Sequence, residues 1–314
     1  MKMFIRAFSA QWTIGAVVAT MAMTGCNVQT PNGEVSLTPD STSSDPAYRM
    51  TRAEIVSEYS EAVCDPLYTN PEIPGDDTVM RGWFGEIRVP PANAKNSEWE
   101  QNLDRYWKPD AVLLSTPLYL QNLDVPTRKF TEGFPTMSGG LVDDESGNPL
   151  VERFHFNMES GLTLGDMHDE GEYEFAMLSD DGVRLSIDDV LYLNSPNHHA
   201  TTLVCPKTTV RLTRGEIKAL HAEYFQGPRY HIALQLLWRK VTPETKKETL
   251  CGFVSNDEWF DYSGPVPAPK KKYRELQARG WSVVPASSFV LPGYEPLNPC
   301  LSERVKEVLA EEQQ

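Results

Sequence analysis

Between residues 171 and 238, apolar and polar side chains alternate with a period of two, the mark of strands with one face buried. Tyr173, Phe175 and Met177 interleave with Glu172, Glu174 and Ala176, and Val183, Leu185 and Ile187 interleave with Arg184, Ser186 and Asp188. Asp188-Asp189 reads as a hairpin turn into a strand over residues 190–193. Val210 and Leu212 begin a further strand. Residues 218–225 and 230–238 are expected to pair as the last two strands, with Ile232, Leu234, Leu236 and Trp238 on one face. Upstream, the pattern predicts strands over 80–89, 117–125 and 150–156. Many short strands separated by turn residues predict an all-β core, an antiparallel β-sandwich with short peripheral helices.

Helical spacing replaces the alternation in a few places. The strings Thr51-Arg52-Ala53-Glu54 and Ser97-Glu98-Trp99-Glu100 have the form of capping boxes. They predict short helices that end near Cys64 and Trp107. Residues 271–279, closed by Gly280, and 302–312 read as helices of a C-terminal part. Pro66, Pro71 and Pro74 mark a loop, and Pro265, Pro267 and Pro269 a stiff crossing. The expected organisation is a leader over 1–25, a disordered Ser/Thr/Pro-rich tether over 26–50 and a helix and loop over 51–78. The sandwich then spans 79–241, with a disulfide-stapled extension over 242–314.

The N-terminus carries Lys2 and Arg6, then a mostly apolar run over 14–23, then Thr24-Gly25-Cys26. The run is too short to cross a bilayer and has the order of a secretory signal. The string resembles the lipobox of bacterial lipoproteins, with Met23 where that family usually has Leu. The resemblance implies a lipid-modified Cys26 as the mature N-terminus and a membrane anchor without a spanning helix. Asn27 in place of the usual retention Asp implies an outer-membrane address, with the facing of the anchor left open.

The formal net charge of −15 argues against a nucleic-acid partner, which would need a basic face. Beyond Cys26 there are Cys64, Cys205, Cys251 and Cys300. An even count in an exported chain predicts two disulfides, and all three pairings remain open. No two of these cysteines are close enough in sequence to form a zinc knuckle. Gly-x-Ser-x-Gly, His-Glu-x-x-His and phosphate-loop strings are absent from the sequence, so nothing singles out a catalytic group.

Three strings stand in order within the β region: Gly171-Glu172-Tyr173-Glu174-Phe175, then Ser179-Asp180-Asp181-Gly182 running into Leu185-Ser186-Ile187-Asp188, then Glu223-Tyr224-Phe225-Gln226-Gly227-Pro228 before the strand ending in Trp238. Together they resemble the PA-fourteen domain, the β-sandwich module first described in the anthrax toxin protective antigen. In the adhesin branch of that family, two adjacent aspartates joined by a cis peptide hold calcium, and the ion coordinates vicinal sugar hydroxyls. Asp180 and Asp181 match that pair. Calcium takes six to eight oxygens and can leave some positions to a ligand. The branch completes its site with an Asn from the later loop. Here that loop is Gln226-Gly227-Pro228-Arg229-Tyr230, which leaves the Gln226 amide or backbone carbonyls as further donors. Arg229 and Tyr230 are expected on the ligand rim. Trp83, Trp99 and Trp259 are further aromatic candidates, with core positions as the simpler reading. For Asp180-Asp181-Gly182 the simpler reading is a turn, and for His198-His199 a satisfied loop pair.

The resemblance implies a non-catalytic, glycan-binding lipoprotein of the cell envelope, with calcium as the expected cofactor. The alternatives are an envelope module that docks another protein without binding sugar and, second, an orphan glycoside hydrolase, whose paired carboxylates would be close in space and not in sequence.

Overall fold

A computed structural model of the chain describes residues 81–136, 140–144, 146–165, 167–264 and 266–291. The expectations for the leader, Cys26, the tether, the helix before Cys64, the helix over 302–312, and Cys64 and Cys300 lie outside these residues.

The strands follow in order: β1 (Trp83–Val89), β2 (Val112–Leu113), β3 (Leu118–Leu120), β4 (Asp124–Lys129), β5 (Phe154–Thr163), β6 (Gly171–Asp180), β7 (Val183–Ile187) and β8 (Val190–Ser195). They continue with β9 (Thr202–Val204), β10 (Val210–Leu212), β11 (Ile217–Gln226), β12 (His231–Lys240), β13 (Phe260–Asp261), β14 (Ala268–Pro269), β15 (Ser282–Val283) and β16 (Phe289–Val290). One sheet has the order β2-β1-β5-β11-β7-β8, with β3 on β1 and β16 on β5. The other has the order β10-β6-β12-β15, with β4 on β12 and β9 on β6. The ladders are antiparallel. Trp83, Ile87, Phe156, Met158, Leu185 and Tyr224 of the first sheet belong to one buried cluster with Phe175, Met177, Leu234, Leu236 and Trp238 of the second. Each such side chain removed from water contributes on the order of 1.5–3 kcal/mol. The fold is the antiparallel β-sandwich expected from the alternation.

The expected pairing of the last two long strands is overturned. β11 lies between β5 and β7 in the first sheet, whereas β12 lies between β6 and β4 in the second. The loop over 227–230 therefore crosses from one sheet to the other. The physical reason is burial on both faces. β12 is buried at eight consecutive positions, with Leu234, Leu236 and Trp238 in the sandwich core and Leu237 against the C-terminal segment. A strand covered on both faces takes a central place in its own sheet.

Three other expectations shift. The single strand over 117–125 is two strands, β3 in the first sheet and β4 in the second, switching at Gln121-Asn122-Leu123. The strand expected from residue 150 begins at Phe154 and runs to Thr163. The helix expected before Trp107 is two short 3-10 turns, Asn96–Glu98 and Leu103–Trp107, the second capped by the Asn102 side chain accepting from Asp104 N at 2.7 Å. The hairpin at Asp188-Asp189 stands as expected. Both residues have positive φ, 49° and 62°, as a type I′ turn between twisted strands requires.

The C-terminal segment packs on the outer face of the second sheet. Ala176, Leu178, Leu203 and Leu237 meet Leu250, Trp259, Phe260, Trp281, and Tyr273 and Leu276 of the helix α1 (Lys271–Gln277). Buried Glu248 ties the segment down. It pairs with Arg279 at 2.6 Å and accepts from Trp281 Nε1 at 3.0 Å, with Arg239 of β12 at 3.8 Å. A buried charge so surrounded is tolerated because its acceptors are met.

Cys205 and Cys251 form a disulfide across a sequence separation of 46 residues, joining the end of β9 to this segment. Constraining a loop of that length in the unfolded chain stabilises by about 2–4 kcal/mol. The double variant Cys205→Ser/Cys251→Ser is therefore expected to lose that amount in urea unfolding followed by tryptophan fluorescence. Loss of under about 1 kcal/mol would show that the native contacts around Glu248 suffice.

Candidate functional site

β6 ends in a run of buried residues, and its last member is Asp180. Asp181 and Gly182 turn the chain into β7. The Asp180–Asp181 peptide is cis, as is Arg229–Tyr230 in the loop opposite. Gly182 has no alternative residue. A Cβ there would lie 2.6 Å from the Phe225 ring, 2.8 Å from the Pro196 carbonyl carbon and 2.9 Å from Asn197 O.

The two acids do not project into solvent as an ordinary turn would present them. Asp180 is 5% and Asp181 1% exposed. Asp180 Oδ2 accepts from the Thr201 hydroxyl at 3.2 Å, and that hydroxyl in turn accepts from Thr127 of β4 at 3.3 Å. Asp181 Oδ1 accepts from the main-chain N–H of His199 at 3.1 Å, and Oδ2 from that of Gly227 at 2.7 Å. A Cβ at residue 227 would stand 2.9 Å from Glu100 O and 3.1 Å from Asp181 Oδ2, so glycine permits this approach. Among the described residues, no lysine or arginine forms an ion pair with either carboxylate. His198 Nε2 lies 3.5 Å from Asp181 Oδ1, with the side chain 43% exposed.

Burial raises the pKa of both acids, Asp180 to about 8 and Asp181 to about 7. For Asp180 the Asp181 charge adds to the rise, and the Thr201 hydrogen bonds oppose it. For Asp181 the Gly227 and His199 N–H groups oppose it. Each carboxyl is thus held where its charge is disfavoured, with hydrogen bonds but no lysine or arginine partner among the described residues.

The structure brings the sequence candidates together unequally. Asp180 and Asp181 converge with the crossing loop at one end of the sandwich. Arg229 and Tyr230 stand on its rim, 64% and 71% exposed, with Arg229 Nε 3.6 Å from Glu152 Oε2. Gln226 sits beneath the site. Its Oε1 is 2.5 Å from the Tyr224 hydroxyl, which also donates toward Asp180 O at 2.7 Å, and its Nε2 donates to His231 O at 2.9 Å. The Gln226 amide therefore braces the loop and is committed on both sides. Trp83, Trp99 and Trp259 are fully buried in apolar clusters. Sequence reasoning missed Thr201 and set His198-His199 aside as a satisfied loop pair. The His pair reads as an ordinary loop in sequence, because only the fold carries residues 198–201 back beside the turn at 180–182.

The donor set suits a hard divalent cation in part. Two adjacent buried carboxylates without a basic partner are oxygen ligands of the kind calcium prefers. Among the described residues, no group of three or more His, Cys, Asp or Glu converges, so neutral oxygens would complete the shell.

Residues 153–249 match the family model of the PA14 domain. The match includes β5 to β12, both aspartates and the crossing loop. It excludes β1–β4 and the chain beyond residue 249. No curated protein matches the chain. Among solved structures, the PA14 sugar-binding domain from an RTX adhesin is 16% identical, covering 51% of this chain and 90% of that one, with a TM-score of 0.34. The epithelial adhesin 6 A domain from Candida glabrata, in complex with Galβ1-3GlcNAc, is 14% identical, covering 64% and 87%, with a TM-score of 0.35. An anti-sigma factor domain-containing protein is 16% identical with a TM-score of 0.37. The match takes in 70% of this chain but only half the length of that protein. These likenesses lie at TM-scores below 0.5, so the domain assignment rests on the family match.

The raised pKa values fix a sign. Between about pH 4 and pH 8 the folded chain holds protons on Asp180 and Asp181 that the unfolded chain has released. Without a bound cation, stability is therefore expected to fall as pH rises through that window. The double variant Asp180→Asn/Asp181→Asn should flatten this slope in EDTA, read as Tm against pH. An unchanged slope would assign it to other groups.

Proposed function

We propose that the chain is a cell-envelope lipoprotein whose PA14 domain binds glycans without catalysis, with calcium held at Asp180 and Asp181. The observation that carries this reading is the pair of buried, adjacent carboxylates that no lysine or arginine neutralises among the described residues, opening beside exposed Tyr230 and Arg229. Burying two carboxylates together is unfavourable unless something compensates their charge. A divalent cation does so, and it retains open positions for the vicinal hydroxyls of a sugar. Calcium supplies a fixed positive charge that strengthens otherwise weak hydroxyl ligands. The protein's own part is to hold the two carboxylates by the Thr201, His199 and Gly227 hydrogen bonds. Tyr230 offers a ring face for stacking on a pyranose, and Arg229 a hydrogen-bonding group at the rim. Cys26 would carry the lipid anchor at the outer membrane, and residues 26–50 would act as the tether.

Calorimetry guided by a glycan array tests the binding. Binding in calcium that falls at least about a hundredfold in EDTA, and equally in Asp181→Asn, is the expected result. A chain that binds no glycan in calcium refutes the reading, and binding indifferent to EDTA refutes the calcium part. For the anchor, the unmodified chain is expected in the detergent phase of an envelope extract and Cys26→Ser in the aqueous phase. Equal partition of the two would dismiss lipidation at Cys26.

A further inference from the structure

The wall beside Asp180 is backed by residues beyond the matched stretch. Fully buried Thr201 gives its hydroxyl to Asp180 Oδ2 and its main-chain N–H to Asn256 Oδ1, the latter at 2.8 Å. Its carbonyl accepts from Ser255 N at 2.9 Å and from Trp259 Nε1 at 3.2 Å. Thr202 bridges Val254, and the Cys205–Cys251 disulfide closes the same junction. Asn256 is thereby one residue removed from the Asp180 carboxylate. Farther along the loop, the Tyr262 hydroxyl donates to Asp257 Oδ1 at 3.0 Å and lies 2.8 Å from His231 Nε2. The two rings meet edge to face with centroids 5.1 Å apart. His231 directly follows Tyr230, and Phe130 N holds Tyr230 O at 3.1 Å. The segment 255–262 thus reaches from the aspartate pair to the aromatic rim.

The polar groups of this wall are incompletely used. Asn256 has its oxygen engaged, but its Nδ2 has no hydrogen-bond partner among the described residues, leaving two half-buried donors. Tyr262 is held at its hydroxyl by His231 and Asp257, so its ring is presented in a fixed orientation. A rigid aromatic adds contact area at little entropic cost. The opposite wall, on the Asp181 side, comes from His198, His199 and the main chain at Glu100. Among the described residues it shows no comparable aromatic held at its hydroxyl by two partners.

We infer that residues 255–262 form a second subsite, with Asn256 and Tyr262 contacting the sugar residue that adjoins the one held at Asp180 and Asp181. The ligand class is then an oligosaccharide of at least two residues, and the C-terminal segment sets which linkage is accepted. This rests on the glycan-binding reading above and goes beyond it.

The test compares galactose, glucose and mannose with lactose, cellobiose and mannobiose by calorimetry in calcium on the full chain, with calcium alone titrated in parallel. The unmodified chain should prefer one disaccharide over its monosaccharide. Tyr262→Ala should erase about tenfold of that preference while monosaccharide and calcium affinities stay unchanged, and Asn256→Ala should lower the preference as well. Tyr262→Phe, which keeps the ring, should retain most of it. Equal weakening of both sugars and of calcium would reduce the segment to a prop for Thr201 and overturn the inference. So would a chain that binds monosaccharide and disaccharide alike. If no sugar of the panel binds the unmodified chain, the glycan reading itself falls and takes this inference with it.

Discussion

Two adjacent carboxyl groups, removed from water and without a lysine or arginine partner among the described residues, form the constraint around which this end of the molecule is arranged. Desolvation disfavours both carboxylates, and the nearness of each to the other disfavours the pair further. The fold does not relieve this with an arginine, although arginines neutralise buried acids elsewhere in the chain, as Arg239 and Arg279 do at Glu248. Instead it supplies neutral donors, a hydroxyl from Thr201 and main-chain N–H groups from His199 and Gly227. Such donors orient a carboxylate without cancelling its charge. The contrast within one molecule separates an acid used as a structural tie from a pair held by neutral donors.

Orientation at that end depends on strands from both sheets. Asp180 closes β6 of the second sheet, and Gln226 closes β11 of the first. The crossing loop between β11 and β12 brings the Gly227 N–H across the gap. Tyr224 and Gln226 brace the loop from below, and the C-terminal segment braces the Thr201 side. The apolar core that sets the distance between the sheets therefore also sets the spacing of the donors. Small losses of packing in Phe225 or Leu178 would be felt at the aspartates, because close-packed interiors transmit displacement instead of absorbing it.

The alternation of Tyr173, Phe175 and Met177, and of Val183, Leu185 and Ile187, was enough to read strands β6 and β7 and to expect a sandwich. The Asp188-Asp189 turn was equally plain, because few residue pairs tolerate two positive φ angles. The pairing of β11 with β12 was misread, since a short loop between two apolar strands looks the same whether it makes a hairpin or an arch. Periodicity reports which face of a strand is buried and says nothing of which neighbour it hydrogen-bonds. The single reading of 117–125 failed for the same reason, as its two halves belong to different sheets.

At the site, the ordered strings around Ser179-Asp180-Asp181-Gly182 were visible in sequence, and so were the rim residues Arg229 and Tyr230. Local chemistry by itself determined a β-rich chain and a turn with two acids. Only the tertiary structure decided that the acids face inward, that Gln226 supports the loop from beneath, and that Thr201, His198 and Asn256 stand beside the pair. The reason is distance along the chain: these partners lie between about 17 and 76 residues from the aspartates, and no local pattern of propensity or period encodes which remote backbone amide will meet a given carboxylate.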